Sequence, residues 1–397
     1  MRSKLRAHIL IAAAALPVGF TAQSALAQAG YLQTNILSDS ASIAATNAPN
    51  GTPDAQLINP WGLTATATSP FWISDNGTGL STLVNGNTGV QSASPVVTIP
   101  GPNGSAANFV AAPTGVVANT TSSFQTTAGV PAHFIFATED GTISAWSSGS
   151  SAVLKVDNST TGPGAVYKGL AIGSSGGNNV IYATNFRAGT IETYDSVGTT
   201  FTPVTLSGSF TVPNLPSNYS PFNISNLGGN LFVTYAVPNP ATNDMDDLAG
   251  PGNGLVAEFT QDGVYEGTIG SGGTLDSPWG LAIAPANFGA FSGDLLVGNF
   301  GGGRINAFNL SNDTFAGQLA DPNGNPITIH GLWGLSFGNG ASAGPTNTLF
   351  FTSGPNGEND GLFGSLTAVP EPSSIGLIGA AALGLMRRRR RVNYESL

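Results

Sequence analysis

Residues 278–308 hold the stretch that decides the fold. Pro278-Trp279-Gly280-Leu281 is followed by the run Leu295-Leu296-Val297-Gly298-Asn299-Phe300, a turn Gly301-Gly302-Gly303, and then Arg304-Ile305-Asn306-Ala307-Phe308. Apolar residues alternating on both sides of a glycine turn predict a β-hairpin. The opening tetrapeptide reads as a further short strand. A unit of three short strands leaves both sheet faces open to water, so it needs neighbours of its own kind to be stable.

Those neighbours are present. The same start recurs at Pro60-Trp61-Gly62-Leu63, Pro113-Thr114-Gly115-Val116, Tyr167-Lys168-Gly169-Leu170, Pro221-Phe222-Asn223-Ile224 and Leu332-Trp333-Gly334-Leu335. From Gly62 through Gly115, Gly169, Asn223 and Gly280 to Gly334 the spacings are 53, 54, 54, 57 and 54 residues, too steady for chance. Each start leads to a strand pair. These are 71–76 with 80–84, 134–140 with 142–146, 180–186 with 190–194, 231–235 with 255–259, and 349–353 with 362–366.

A period near 54 residues with three to four antiparallel strands per repeat is a blade period, and six blades closed in a ring cover one another's faces. The expected fold is therefore an all-β, six-bladed β-propeller over residues 31–368. Nothing after Leu366 supplies an outer strand for the sixth repeat, whereas Tyr31-Leu32-Gln33-Thr34-Asn35-Ile36-Leu37 reads as a strand. The N-terminal strand is expected to complete the last blade, which removes an open edge. The Pro-x-Gly-apolar start followed by an apolar strand that ends in a polar pair resembles NHL-type six-bladed propellers.

Composition agrees with short strands. The chain has 54 Gly in 397 residues and only 9% charged residues, well under the usual ~25%. Between the end segments only Lys155, Lys168, Arg187 and Arg304 are basic, against twenty acidic residues, a formal charge of −16. Such a body repels nucleic acid, and its acidity suits solubility outside the cell. The absence of Cys excludes disulfides, Cys-ligated metals and thiol nucleophiles. With His8 in the leader, only His133 and His330 remain, so a multi-histidine metal site is excluded as well.

The two ends are built for traffic. Residues 1–27 read as a signal peptide: Arg2, Lys4 and Arg6, an apolar stretch from Ile9 to Phe20, then Ala25-Leu26-Ala27 as the small residues a signal peptidase reads. Cleavage is expected after Ala27, with Ala27-Gln28-Ala29 as a second frame. At the other end, residues 369–391 contain Pro370-Glu371-Pro372, an apolar run from Ile375 to Met386, and the cluster Arg387, Arg388, Arg389, Arg390 and Arg391; residues 392–397 would be a cytoplasmic end. Twelve apolar residues make a helix of roughly 18 Å, shorter than a ~30 Å hydrocarbon core. The arginines keep to the cytoplasmic side, so this is a short transmembrane segment that holds the chain transiently at the inner membrane.

That order of parts resembles the PEP-CTERM sorting signal of Gram-negative bacteria. The resemblance implies recognition by an exosortase and removal of the tail, after which the protein would reside in the periplasm, at the outer surface or in the extracellular matrix. Taken end to end, the chain resembles an uncharacterised family of exported PEP-CTERM-associated repeat proteins, from which no activity carries over.

Several residues are candidates for chemistry, each with a plainer role beside it. Trp61, Trp279 and Trp333 occupy one repeat position, which holds Thr114, Lys168 and Phe222 in the other three blades. They either line the channel as platforms for a sugar ring or pack as core. Asp75, Asn76, Glu139, Asp140, Asn185 and Asn299 end strands; their oxygens suit calcium, or they simply serve hairpin turns. Asp244, Asp246 and Asp247 sit in an insert, 237–254, as a further calcium candidate or a solvated acidic loop; the Gly and distal Glu of an EF-hand are missing. His330 is a candidate general base or a hydrogen-bonding residue. No nucleophile elbow, phosphate loop or dinucleotide motif stands in a suitable context.

The leading expectation is thus a non-enzymatic exported propeller that binds a polysaccharide or a cell-surface protein. The competing one is a calcium-dependent hydrolase or lyase with its site in the channel. The third is a structural matrix component.

Overall fold

The structure, a computed structural model, describes residues 30–44 and 54–369. The expected signal peptide, sorting motif and apolar segment lie outside the described residues, apart from the junction at Val369.

Six four-stranded antiparallel sheets surround one axis. The inner strands, nearest the axis, are Pro60–Thr64, Pro113–Ala118, Tyr167–Ser175, Ser220–Leu227, Pro278–Ile283 and Leu332–Phe337. Each is followed outward by two middle strands and an outer one. The sixth blade runs Leu332–Phe337, Thr348–Ser353, Leu362–Ala368 and then Tyr31–Ser38, so the N-terminal strand supplies its outer edge. Tyr31 pairs with Ala368 and Ser38 with Leu362. The Tyr31 hydroxyl also reaches blade 5, donating to the Phe288 carbonyl at 3.0 Å. Burial pushes that phenol up to about 12.

The outer strands are the part that lacked a clear pattern. Val97–Thr98 has two residues, and Thr314–Gln318 exposes Phe315. A further small hairpin, Gln125–Thr127 with Val130–Pro131, decorates blade 2.

The core is divided among the seams. One buried apolar cluster fills each blade-to-blade interface: Phe71 with Phe350 between blades 1 and 6, Trp72 with Phe136 between 1 and 2, and so on round the ring. A fully buried Leu, Ile, Val or Phe contributes about 1.5–3 kcal/mol, more than the ~0.5–1.5 kcal/mol net of a strand hydrogen bond. The seams, each with several such side chains, therefore hold the ring.

Close approach at the axis explains the glycine of the repeat. A Cβ on Gly334 would lie 2.6 Å from the Trp61 carbonyl of the next blade, and one on Gly280 2.5 Å from the Trp333 carbonyl. All six inner strands slip register at this point, as a bulge does. In blades 3, 4 and 6 a threonine hydroxyl from the second strand accepts the N–H at the slip: Thr184 takes Gly169 N at 2.8 Å, Thr234 takes Asn223 N at 2.9 Å, and Thr352 takes Gly334 N at 2.8 Å. Thr184 and Thr352 then donate to Phe222 O and Trp61 O of the next blade. Blade 4 has Asn223 in place of the glycine, and its amide donates to Trp279 O of blade 5 at 2.7 Å.

Candidate functional site

The residue before each of these axial positions points into the channel. Trp61, Phe222, Trp279 and Trp333 form one buried cluster with Phe186 from a second-strand end, and the partly buried Phe300 packs against it. Trp61 and Trp333 stack with centroids 3.4 Å apart, Phe300 stacks on Trp333 at 4.0 Å, and Trp279 meets both tryptophans edge-on at 5.9 Å. The three indoles are 2%, 4% and 1% exposed. They line the axis and are core at once, because the six strands converge until their side chains touch. Beyond the plug, Leu63, Val116, Leu170, Leu281 and Leu335 line a cavity of about 60 Å³, room for a few waters.

Lys168 takes the third blade's place in this ring. Its side chain is buried, with Nζ 4.8 Å from the Trp61 ring centre, and it pairs with Glu139. Its backbone carbonyl accepts the Trp279 indole N–H at 3.2 Å. A chain of hydrogen bonds crosses the top of the plug. Trp333 Nε1 donates to Asn59 Oδ1 (3.0 Å), Asn59 Nδ2 to Asn76 Oδ1 (3.2 Å), and Asn76 Nδ2 to Glu139 Oε2 (2.9 Å). A lysine ammonium buried on an aromatic face needs such a carboxylate partner, because an unpaired buried charge is costly.

More carboxylates gather above it. Asp246, on the insert, lies 3.9 Å from Lys168 Nζ. Asp247 and Glu358 belong to the same electrostatic cluster. Burial, reinforced by the Glu139 carboxylate and opposed by Lys168, pushes Glu358 up to about 7; burial also raises Asp247. The Ser277 hydroxyl sits against the Asp247 carboxyl and opposes that rise, while Trp61 Nε1 is buried with no hydrogen-bond partner.

The insert is held firmly in place. Pro238 bridges Asp247, Asn239 N donates to Asp246 O at 2.8 Å, and the Asn239 side chain caps the short 3-10 turn Pro240–Thr242. Arg187 anchors its tip, with Nε donating to Asn243 O at 2.9 Å. On its other side the insert borders a polar cavity of about 520 Å³ lined by Arg187, Ser217, Asn218, Tyr219, Pro240 and Asp244.

The remaining expected site residues are scattered. Asp75 is fully buried within blade 1, where burial drives its carboxyl well above the usual range. Asp140 accepts Ala112 N at 2.7 Å and so fastens its turn to the inner strand. Asn185 Oδ1 accepts Val166 N and Asn299 Oδ1 accepts Asp276 N, both blade-end staples. His330 is exposed on the loop before the sixth inner strand. Among the described residues no three His, Cys, Asp or Glu are placed to hold one metal ion. The oxygens proposed for calcium thus do not converge on one point among the described residues. Two residues of the mouth went unremarked in the sequence: Glu358 and Asn59. Lys168 carries its own signal in the sequence, a charge at a repeat position that is aromatic in four other blades.

These features define an all-β six-bladed propeller with a plugged axis and an acidic mouth. Residues 368–391 match the PEP-CTERM protein-sorting motif, which marks the chain for export. The chain is 31% identical to uncharacterized protein R648 of Acanthamoeba polyphaga mimivirus over 79% of its own length and 76% of that protein's. It is 30% identical to uncharacterized protein L690 of the same virus, over 79% and 81% of the two chains. It belongs to the family of these mimivirus proteins. Among solved structures it is similar to the α-L-arabinofuranosidase arb93a of Fusarium graminearum, at 12% identity, 85% and 98% coverage and a TM-score of 0.51; that likeness concerns the fold alone. Among the described residues no helix is long and apolar enough to cross a membrane.

Proposed function

We propose that this protein is an exported binding module for polysaccharide at the cell surface or in the extracellular matrix, sorted there by an exosortase. The observation that carries this reading is the pair of surfaces at one end of the ring. The axis is filled by the aromatic plug, while the adjoining cavity of about 520 Å³ is walled by hydroxyls, amides, one guanidinium and the ring of Tyr219. A cavity of that size is within the ~300–1,000 Å³ range of ligand sites, and the Tyr219 ring, its hydroxyl donating to Gly252 O at 2.9 Å, can offer a sugar an apolar face. A body of charge −16 favours neutral or cationic glycans over acidic ones.

The test is a glycan array probed with the protein at physiological salt. A defined set of neutral or amino-sugar glycans should bind, and Tyr219→Ala should weaken binding at least tenfold. An array with no signal above background removes the proposal.

A competing reading, a hydrolase or lyase, is favoured by Glu358, which at about 7 is half-protonated near neutral pH and is thereby suited to act as a general acid. Release of new reducing or unsaturated ends from a bound glycan, lost in Glu358→Gln, would support it over simple binding.

A further inference from the structure

A second cavity lies beside the polar one, in the seam between blades 3 and 4. It holds about 400 Å³, a volume that suits a ligand. The two cavities share Gly189 and meet along the consecutive residues Tyr219, Ser220 and Pro221. Their linings differ. The rim of the second cavity is exposed and hydroxylic, with Thr190, Ser209 and Thr211. Its floor is apolar, because Ile191, Phe210, Val212, Leu215 and Tyr235 all belong to the hydrophobic packing of the seam. Among the described residues no charged side chain lines it. Tyr235 is 2% exposed, and its hydroxyl has no hydrogen-bond partner. Burial raises that phenol, so it keeps its proton and remains a donor. A buried donor without an acceptor is costly and calls for an explanation. A loose loop does not supply one. Gly208 N donates to Asp262 O at 2.8 Å and Phe210 N to Gly263 O at 3.0 Å, which fastens the outer wall to blade 4. Phe210 holds a φ of 53°, an unfavourable value for an aromatic residue, with its ring edge-on to Tyr182 at 6.1 Å.

We infer that this second cavity receives an O-acyl group carried by the glycan bound next door. This inference rests on the proposed glycan-binding role and narrows it. The sugar lies in the polar cavity, and its acyl ester passes Gly189 into the apolar one. The floor takes hydrocarbon, whose burial is favourable, and it excludes an ionised group, which would be buried without a counter-charge. The Tyr235 hydroxyl donates to the ester carbonyl. An ester brings acceptors only, whereas an N-acyl group also brings an N–H. The floor side chains offer that N–H nothing but the one hydroxyl, which the carbonyl already occupies.

The decisive experiment is an array of O-acylated polysaccharides printed in pairs, each untreated and after mild alkaline removal of its esters, and probed with the protein. Untreated members should bind at least tenfold more tightly than their de-esterified partners. Tyr235→Phe keeps the ring and removes only the unpartnered hydroxyl. It should bring that ratio below threefold and leave the melting temperature unchanged or raised. Leu215→Trp, which fills the cavity, should abolish the preference while the de-esterified partner still binds. A preference that survives Tyr235→Phe overturns the assignment. So does a clear fall in the melting temperature of Tyr235→Phe, because the hydroxyl would then have a partner within the protein. If glycans bind equally with and without their esters, this inference falls and the glycan-binding reading stands; if no glycan binds, both fall.

Discussion

Trp333→Ala tests whether the propeller axis is packed core. Trp333 is 1% exposed, stacked between Trp61 and Phe300, edge-on to Trp279, and hydrogen-bonded through Nε1 to Asn59. Truncation of a buried tryptophan to alanine costs about 3–5 kcal/mol, and the orphaned Asn59 oxygen adds to the loss. For a body of roughly 330 residues the unfolding entropy is about 0.7 kcal/mol/K. A loss of ~4 kcal/mol then lowers the melting temperature by about 6 °C. Differential scanning calorimetry of wild type and variant supplies the assay, with tryptophan near-UV circular dichroism as a second readout. The stacked pair should lose most of its near-UV signal. A variant that melts within 1 °C of wild type and keeps that signal would refute the packed axis and return the tryptophans to the role of open platforms.

Four further outcomes are expected. Gly334→Ala should destabilise by about 1–3 kcal/mol, since its Cβ meets the Trp61 carbonyl at 2.6 Å; Gly129→Ala, where nothing lies within 4 Å, should cost only the strain of its positive φ, about 1 kcal/mol, and equal losses in the two would discredit the close-approach account. Thr352→Val should lose about 2 kcal/mol in urea melts because it strands both Gly334 N and Trp61 O; a neutral result would mean the hydroxyl bridge is ornamental. The Glu358 carboxyl, raised to about 7 in the fold from 4.5, keeps its proton where the unfolded chain has lost it. Stability should therefore fall between pH 4.5 and 7 and level off above, by at most about 3 kcal/mol; Glu358→Gln should match wild type at pH 4.5 and exceed it at pH 8, and parallel pH profiles would rule out this titration. Mass spectrometry of the protein from its own host should find a start at Gln28 and no peptide beyond about Ser373; recovery of residues 392–397 outside the cell would count against removal of the tail.

The ring could be read from the sequence because each blade repeats one local solution. Gly62, Gly115, Gly169, Gly280 and Gly334 recur for a steric reason, the approach of the next blade's backbone, and that reason returns with every blade. The closing strand was readable from a deficit, a sixth repeat with no outer strand and an unassigned strand at residues 31–37. Outer strands were less visible. Thr314–Gln318 packs little and exposes Phe315, so burial imposed no alternation on it. The two alternatives for the tryptophans, channel lining or core, were not exclusive. Periodicity assigns them one place in each blade but carries no measure of the ring's inner radius, and at this radius six such side chains fill the axis.

The mouth was partly hidden because its members come from different kinds of position. Lys168 sits in the repeat, Glu139 and Asn76 at strand ends, Asp246 in the one long insert, and Glu358 in a loop of the last blade. No spacing along the chain links them; closure of the ring does. The link begins from Lys168. A lysine replacing an aromatic residue on a buried axis must bring a counter-charge with it. Glu139 fills that need in blade 2. Lys168 also lies 3.9 Å from Asp246 and acts on Asp247 and Glu358, so one ammonium is shared among four carboxylates. Retaining three carboxylates there costs stability, as the raised carboxyls of Glu358 and Asp247 indicate.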